Sequence, residues 1–249
     1  MNFAGVTGLS KWTRFTITDT LRFFGVAALL CSSTALGAER FAIDTSGMPG
    51  FTVVTAEDGR MSAWDMVVVE YEGPIAYPMA ENLRAIWEQV QPSGRFARLV
   101  LRLNSAGGVG LHGDEVIAIL DEIRDEVTLN TLVSDNDLCA SMCVGIFIQG
   151  ETRFASPASA WMFHGASSYM SNLPNPELTA RYFDLFRDRA VDADFIDFLY
   201  ADGKVLSPGA FWISGAELAG VSNIITDLLP NWRPADAAPG LPLMIHGGI

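Results

Sequence analysis

Between residues 66 and 163 the chain alternates short aliphatic, β-branched runs with stretches whose apolar residues recur at helical spacing. This feature constrains the fold most. Met66 to Tyr71 predicts a strand, Pro78 to Gln89 a helix, and Arg98 to Leu103 a strand that runs into Asn104-Ser105-Ala106-Gly107-Gly108. A helix from about Gly113 to Arg124 and a strand from Thr128 to Val133 follow, and Cys139-Ala140-Ser141-Met142-Cys143 then opens another apolar helix. Thr152 to Phe154 and Ala160 to Phe163 read as short strands, the second ending at His164. Repeated strand–helix alternation implies an α/β fold with a mostly parallel sheet and right-handed crossovers, whose sites gather at the carboxyl ends of strands.

Outside that stretch the organisation is looser. Residues 39–63 read as an N-terminal extension with one β-like run, Phe51 to Thr55, suited to an edge strand. Residues 165–176 form a loop rich in Ser, Asn and Pro. A helix is expected from about Glu177 to Tyr200, aromatic on one side at Tyr182, Phe183 and Phe186, where it meets either the core or another subunit. Ile213 to Ala219 reads as a short helix and Asn223 to Thr226 as a last strand, closing a domain over 64–229. A tail rich in Pro and Gly occupies 230–249, and no internal repeat is visible in the sequence.

Residues 1–38 read as an export signal: Lys11, Arg14 and Arg22 precede or flank an apolar run from Phe23 to Leu30, and Ala35-Leu36-Gly37 suits a signal peptidase. That run is short for a bilayer span, so a cleaved signal and a periplasmic address are expected over an uncleaved anchor; Cys31 follows Leu30 and makes a poor lipoprotein site. The formal charge is −13, and loss of the signal deepens it, which disfavours nucleic acid and anionic membrane surfaces as partners. With 49% hydrophobic and 18% charged residues the chain has the apolar surface to fold into a sizeable core.

Two features carry chemistry. The paired glycines after the strand in LNSAGG let the backbone approach a ligand closely with amide N–H groups pointing at it, as an oxyanion hole requires. Ser141 opens an apolar helix after a strand and loop, a place for an exposed nucleophile, and His164 closes a strand further on where a general base would stand. The competing readings are a tight turn for the glycines, a helix cap for the serine and a structural role for His164. Of the other two histidines, His112 reads as a rim residue and His246 as an uninvolved tail residue. Cys139 and Cys143 form either a disulfide that holds the turn around Ser141 or two buried thiols, and with no nearby histidine they make a poor metal site.

Glu72-Gly73-Pro74-Ile75, LVLRLNSAGG, Cys139 to Gly145 and GETRFASPASAWMFHGA, in that order and spacing, resemble the ClpP/crotonase superfamily, and within it exported ClpP-like serine peptidases. The resemblance covers about residues 64–227 and implies a βα superhelical spiral. It also implies Ser141 as nucleophile, His164 as base, and an oxyanion hole from Gly107 and Gly108 with the amide of Met142. Relatives form rings or trimers, so a homo-oligomer is one expectation. The family's third triad member, an aspartate shortly before a segment matching Phe211 to Leu218, is absent: the corresponding position is Ala210. A Ser141–His164 dyad is then expected, with Asp202 as a weak substitute acid and Lys204 as a weaker alternative base.

The function expected is an exported, ATP-independent serine hydrolase, a peptidase for peptides or unfolded protein, needing no cofactor and no metal. The alternative is a catalytically degenerate peptide-binding or assembly module. Crotonase-like thioester chemistry ranks last, because no basic cluster suits the phosphates of coenzyme A.

Overall fold

The computed structural model describes residues 43–56, 65–168 and 173–229; residues 1–38, read above as an export signal, and residues 230–249, read as a tail, lie outside the described residues. Five parallel strands and one antiparallel edge strand make the main sheet. Its order is β1 (Phe51–Val54), β2 (Met66–Glu72), β3 (Arg98–Asn104), β4 (Thr128–Val133), β6 (Thr152–Ala155) and β9 (Asp227–Leu228). Only the β1–β2 pair is antiparallel. Because both of their faces are covered, the central strands are buried along most of their length: β2 and β3 carry the aliphatic runs Val67–Val69 and Leu99–Leu101, while β4 interleaves buried Asn130 and Thr131 with Leu129, Leu132 and Val133.

A second, smaller sheet of β5 (Leu138–Ala140), β7 (Ala160–Phe163) and β8 (Phe211–Ser214) stands beyond the carboxyl ends of the first. Two bridges extend it, Ser105 with Cys139 and Ile75 with Gly108, both parallel. The chain therefore makes the same turn four times: a strand of the main sheet, an extended segment of the second layer, then a helix. The turns run β2–Ile75–α1 (Met79–Val90), β3–Ser105 to Gly108–α2 (Gly110–Arg124), β4–β5–α3 (Met142–Phe147) and β6–β7–α4 (Pro176–Asp188). This is a structural repeat without a sequence repeat.

Helix boundaries follow local chemistry. In α1 the buried Met79, Leu83, Ile86, Trp87 and Val90 recur at helical spacing and face the core, and Gly94, at φ +57, ends the following 3-10 turn in the left-handed region. Helix α4 starts at Asn175, whose side chain accepts from the Leu178 amide, with Pro176 in the first helical position. The main core lies between the sheets and the helices, and a smaller apolar cluster around Val68, Val100 and Leu132 occupies the other face of the main sheet.

Three sequence expectations need correction. The helix read from Glu177 to Tyr200 is two helices, α4 and α5 (Ala193–Tyr200), broken where Ala190 adopts φ +51. Asn223 holds the break: its side chain donates to the Ala190 carbonyl and accepts from the Asp192 amide, each at 2.9 Å. The helix expected from Ile213 is preceded by β8, which takes Ile213 and Ser214 into the second sheet, and α6 (Gly215–Val221) begins afterwards under a Ser214–Glu217 capping box. The last strand is Asp227–Leu228 and not Asn223 to Thr226, because Asn223 and Ile224 are held by Asp192 and by the Arg153 side chain, Thr226 makes the first backbone contact with β6, and paired register begins only at Asp227.

Candidate active site

The second sheet brings the predicted residues together. β5 lies in the middle, with the glycine loop on one side through the Ser105–Cys139 bridge and β7 on the other in register Ala140 with Met162. Ser141 leaves the end of β5 and His164 the same end of its parallel neighbour β7. The Ser141 amide still donates to the Met162 carbonyl, at 2.9 Å.

Ser141 sits in a strand–turn–helix elbow with φ +55 and ψ −127, backbone angles that a residue with a Cβ rarely adopts. Such a conformation costs on the order of 1–3 kcal/mol and persists only when its surroundings over-determine it. They do so here. The Ser141 carbonyl accepts from the Val144 amide at 2.9 Å and from the Tyr182 hydroxyl at 2.6 Å. Cys139 and Cys143, both fully buried, bracket the elbow with their sulfurs 2.11 Å apart. Cys139 precedes the helix, which relaxes the directional demand that two cysteines on one regular helix would face.

The glycine loop presses on this elbow. Gly107 adopts φ +87, and a Cβ there would lie 2.5 Å from the Ala140 carbonyl oxygen, 2.7 Å from Ser141 Cβ and 3.2 Å from the Met142 nitrogen. At Gly108 a Cβ would lie 2.1 Å from the Ile75 carbonyl oxygen. Both positions thus require glycine, one for conformation and close approach, the other for close approach alone. The amides divide the work. The Gly107 N–H donates to the buried Ser105 hydroxyl at 3.1 Å, which fixes the turn, while the N–H groups of Gly108 and Met142 have no acceptor among the described residues. Two such amides, one following Ser141 and one following the Gly107 that packs on it, can receive a developing oxyanion.

His164 is partly buried, and its Nδ1 lies 2.8 Å from the Gly165 carbonyl oxygen. A carbonyl only accepts, so Nδ1 carries the proton and Nε2 presents a lone pair, the tautomer a general base needs. Gly165 is itself packed tightly, since a Cβ there would lie 1.9 Å from the Val205 carbonyl oxygen. A main-chain carbonyl thus stands where a triad carboxylate would orient the ring. Among the described residues no hydrogen bond joins the Ser141 hydroxyl to His164. Such contacts often tighten only with substrate bound.

The weaker candidates either have other partners or lie outside the described side chains. Asp202 belongs to a 3-10 turn, Ala201–Gly203, and its side chain lies outside the described part of the structure. The Lys204 ammonium donates to the Ala201 carbonyl at 3.3 Å and sits 4.4 Å above the Phe198 ring. His112, on α2, pairs with Glu115 at 2.9 Å, and His246 lies outside the described residues.

No protein-family model and no curated protein matches the chain. Among the described residues, no group of three or more His, Cys, Asp or Glu is placed to hold a metal, and no helix is long and apolar enough to cross a membrane. Tyr77, Val109 and Leu111 are exposed beside the glycine loop and give its rim an apolar character. Two contributors escaped sequence reasoning. Ser105 lies within LNSAGG but its buried hydroxyl is recognisable as a turn lock only once the loop is folded, and Tyr182 comes from a helix distant in sequence.

Proposed function

We propose that this chain is a serine hydrolase, a peptidase of the exported ClpP-like kind acting without ATP on peptides or unfolded protein. The single observation that carries the reading is the strained Ser141 elbow with the Gly108 and Met142 amides near it lacking an acceptor among the described residues. The four strand–segment–helix turns support a ClpP/crotonase-like superhelical spiral as the fold. The bonding-distance cysteine pair suits an oxidising compartment, in keeping with an export signal in residues 1–38.

In this reading Ser141 Oγ attacks the substrate carbonyl carbon as His164 Nε2 takes the hydroxyl proton. The carbonyl oxygen becomes an oxyanion held by the Gly108 and Met142 amides. As the tetrahedral centre collapses, the bond to the leaving amine breaks and His164 gives that amine the proton. Water, deprotonated by His164, then releases the acyl group from Ser141. The Gly165 carbonyl orients the ring throughout but, being neutral, stabilises the imidazolium less than a carboxylate does, so a modest turnover is expected.

A second reading, a peptide-binding module with little turnover, draws on the missing carboxylate at Nδ1. Incubation of the purified protein with a peptide library and a denatured protein, beside Ser141→Ala, separates the two. Cleavage lost in Ser141→Ala supports the hydrolase, while equal binding by both proteins without cleavage supports the module.

A further inference from the structure

Tyr182 reaches from α4 to the elbow and donates its hydroxyl to the Ser141 carbonyl at 2.6 Å. That carbonyl and the Met142 N–H are the two ends of one planar peptide, so fixing the direction of the first fixes the second. The Met142 N–H is one of the two amides assigned above to the oxyanion. A peptide whose carbonyl accepts hydrogen bonds is also polarised into a stronger donor at its N–H. Rotation of this plane, about ψ of Ser141 and φ of Met142, would swing the N–H away from the site, and the Val144 amide and the Tyr182 hydroxyl, both donating to its carbonyl, oppose that rotation.

The phenol is seated for this contact. Its ring packs edge-on against Phe183 and Phe186, with centroids 5.3 and 5.1 Å away. The absence of a side chain at Gly145 makes room for it: a Cβ there would lie 3.2 Å from the Tyr182 ring. Burial pushes the Tyr182 pKa far above that of a free phenol, so the hydroxyl remains a protonated donor.

We infer that Tyr182 is a positioning residue of the oxyanion hole, aiming the Met142 amide through the Ser141 carbonyl and tying the site to the packing of α4. The catalytic part of this inference rests on the hydrolase reading; the geometric part does not.

Tyr182→Phe removes the hydroxyl and keeps the ring. Ser followed by Met occurs only at Ser141–Met142 in this sequence, so protein labelled with ¹³C′-serine and ¹⁵N-methionine gives a single carbonyl–amide cross-peak, that of the peptide in question. In Tyr182→Phe this cross-peak is expected to shift while the other methionine amides hold their positions. The rate of labelling by an alkyl fluorophosphonate is expected to fall roughly tenfold to a hundredfold, less than the full loss of an oxyanion donor, with kcat on a peptide falling and KM unchanged. An unmoved cross-peak overturns the inference, as does a moved one with an unchanged labelling rate. A wild-type protein that does not label overturns the hydrolase reading and the catalytic part with it, a failure recognised as such because the cross-peak is read on unreacted protein.

Discussion

Replacing Gly107 with alanine probes the closest approach in the site. Two costs apply. At φ +87 an L-residue is strained by about 1–2 kcal/mol. The new Cβ would also stand 2.5 Å from the Ala140 oxygen and 2.7 Å from Ser141 Cβ, distances that force backbone movement, and overpacking of this kind costs roughly 1–3 kcal/mol. Gly94 supplies the control: it too has a positive φ, +57, but a Cβ there meets nothing within 4 Å. Gly94→Ala therefore carries the strain alone, and both variants share the small gain from a less flexible unfolded chain. By urea unfolding at constant m, Gly107→Ala is expected to lose about 1–3 kcal/mol more than Gly94→Ala. Because the movement is taken up by the elbow, fluorophosphonate labelling should slow by about a hundredfold in Gly107→Ala, the effect of a misplacement near 1 Å, and remain unchanged in Gly94→Ala. Equal stabilities and equal labelling rates would refute the close approach and the elbow geometry built on it.

Strain at Ser141 predicts that Ser141→Gly unfolds at higher urea than Ser141→Ala, by about 1–2 kcal/mol, although neither labels. Replacing Cys139 and Cys143 together with alanine should cost about 2 kcal/mol in urea unfolding, the chain-entropy value for so short a loop, and slow labelling by loosening the elbow. Arg102 donates to both carboxylate oxygens of Asp137 at 2.9 Å, at the corner leading from β4 into β5. Asp137 is buried, which raises its pKa against the opposing pull of Arg102. Arg102→Met strands that carboxyl and should cost about 3–5 kcal/mol by urea unfolding, with partial recovery in Arg102→Met/Asp137→Asn.

The parts of the fold legible in the sequence are those whose pattern is local. Thr128–Val133 and Ala160–Phe163 are strands with the predicted bounds, and Met66–Glu72 extends the prediction by one residue, because short runs rich in β-branched and aromatic residues announce themselves locally. β5 was hidden: three residues have no periodicity, and Leu138–Ala140 is extended only because Ala160–Met162 and Ser105 pair with it. The break between α4 and α5 lacks glycine and proline and depends on Asn223, more than thirty residues away. The candidate site shows the same division. Ser141, His164, Gly107, Gly108 and Met142 are motif positions, and the structure brings the glycine loop and the ends of β5 and β7 to one place. Tyr182 reads in the sequence as one aromatic residue on an amphipathic helix, and nothing local marks its hydroxyl for the Ser141 carbonyl. The acceptor for His164 is a backbone carbonyl, a group that every residue carries and no sequence pattern singles out.

The most direct test of the account is to react the purified protein with an alkyl fluorophosphonate and locate the adduct by peptide-mapping mass spectrometry. The account predicts one adduct, on Ser141, formed with loss of fluoride and strongly reduced in His164→Ala. Folded protein that gains no adduct, or gains one elsewhere, would contradict it.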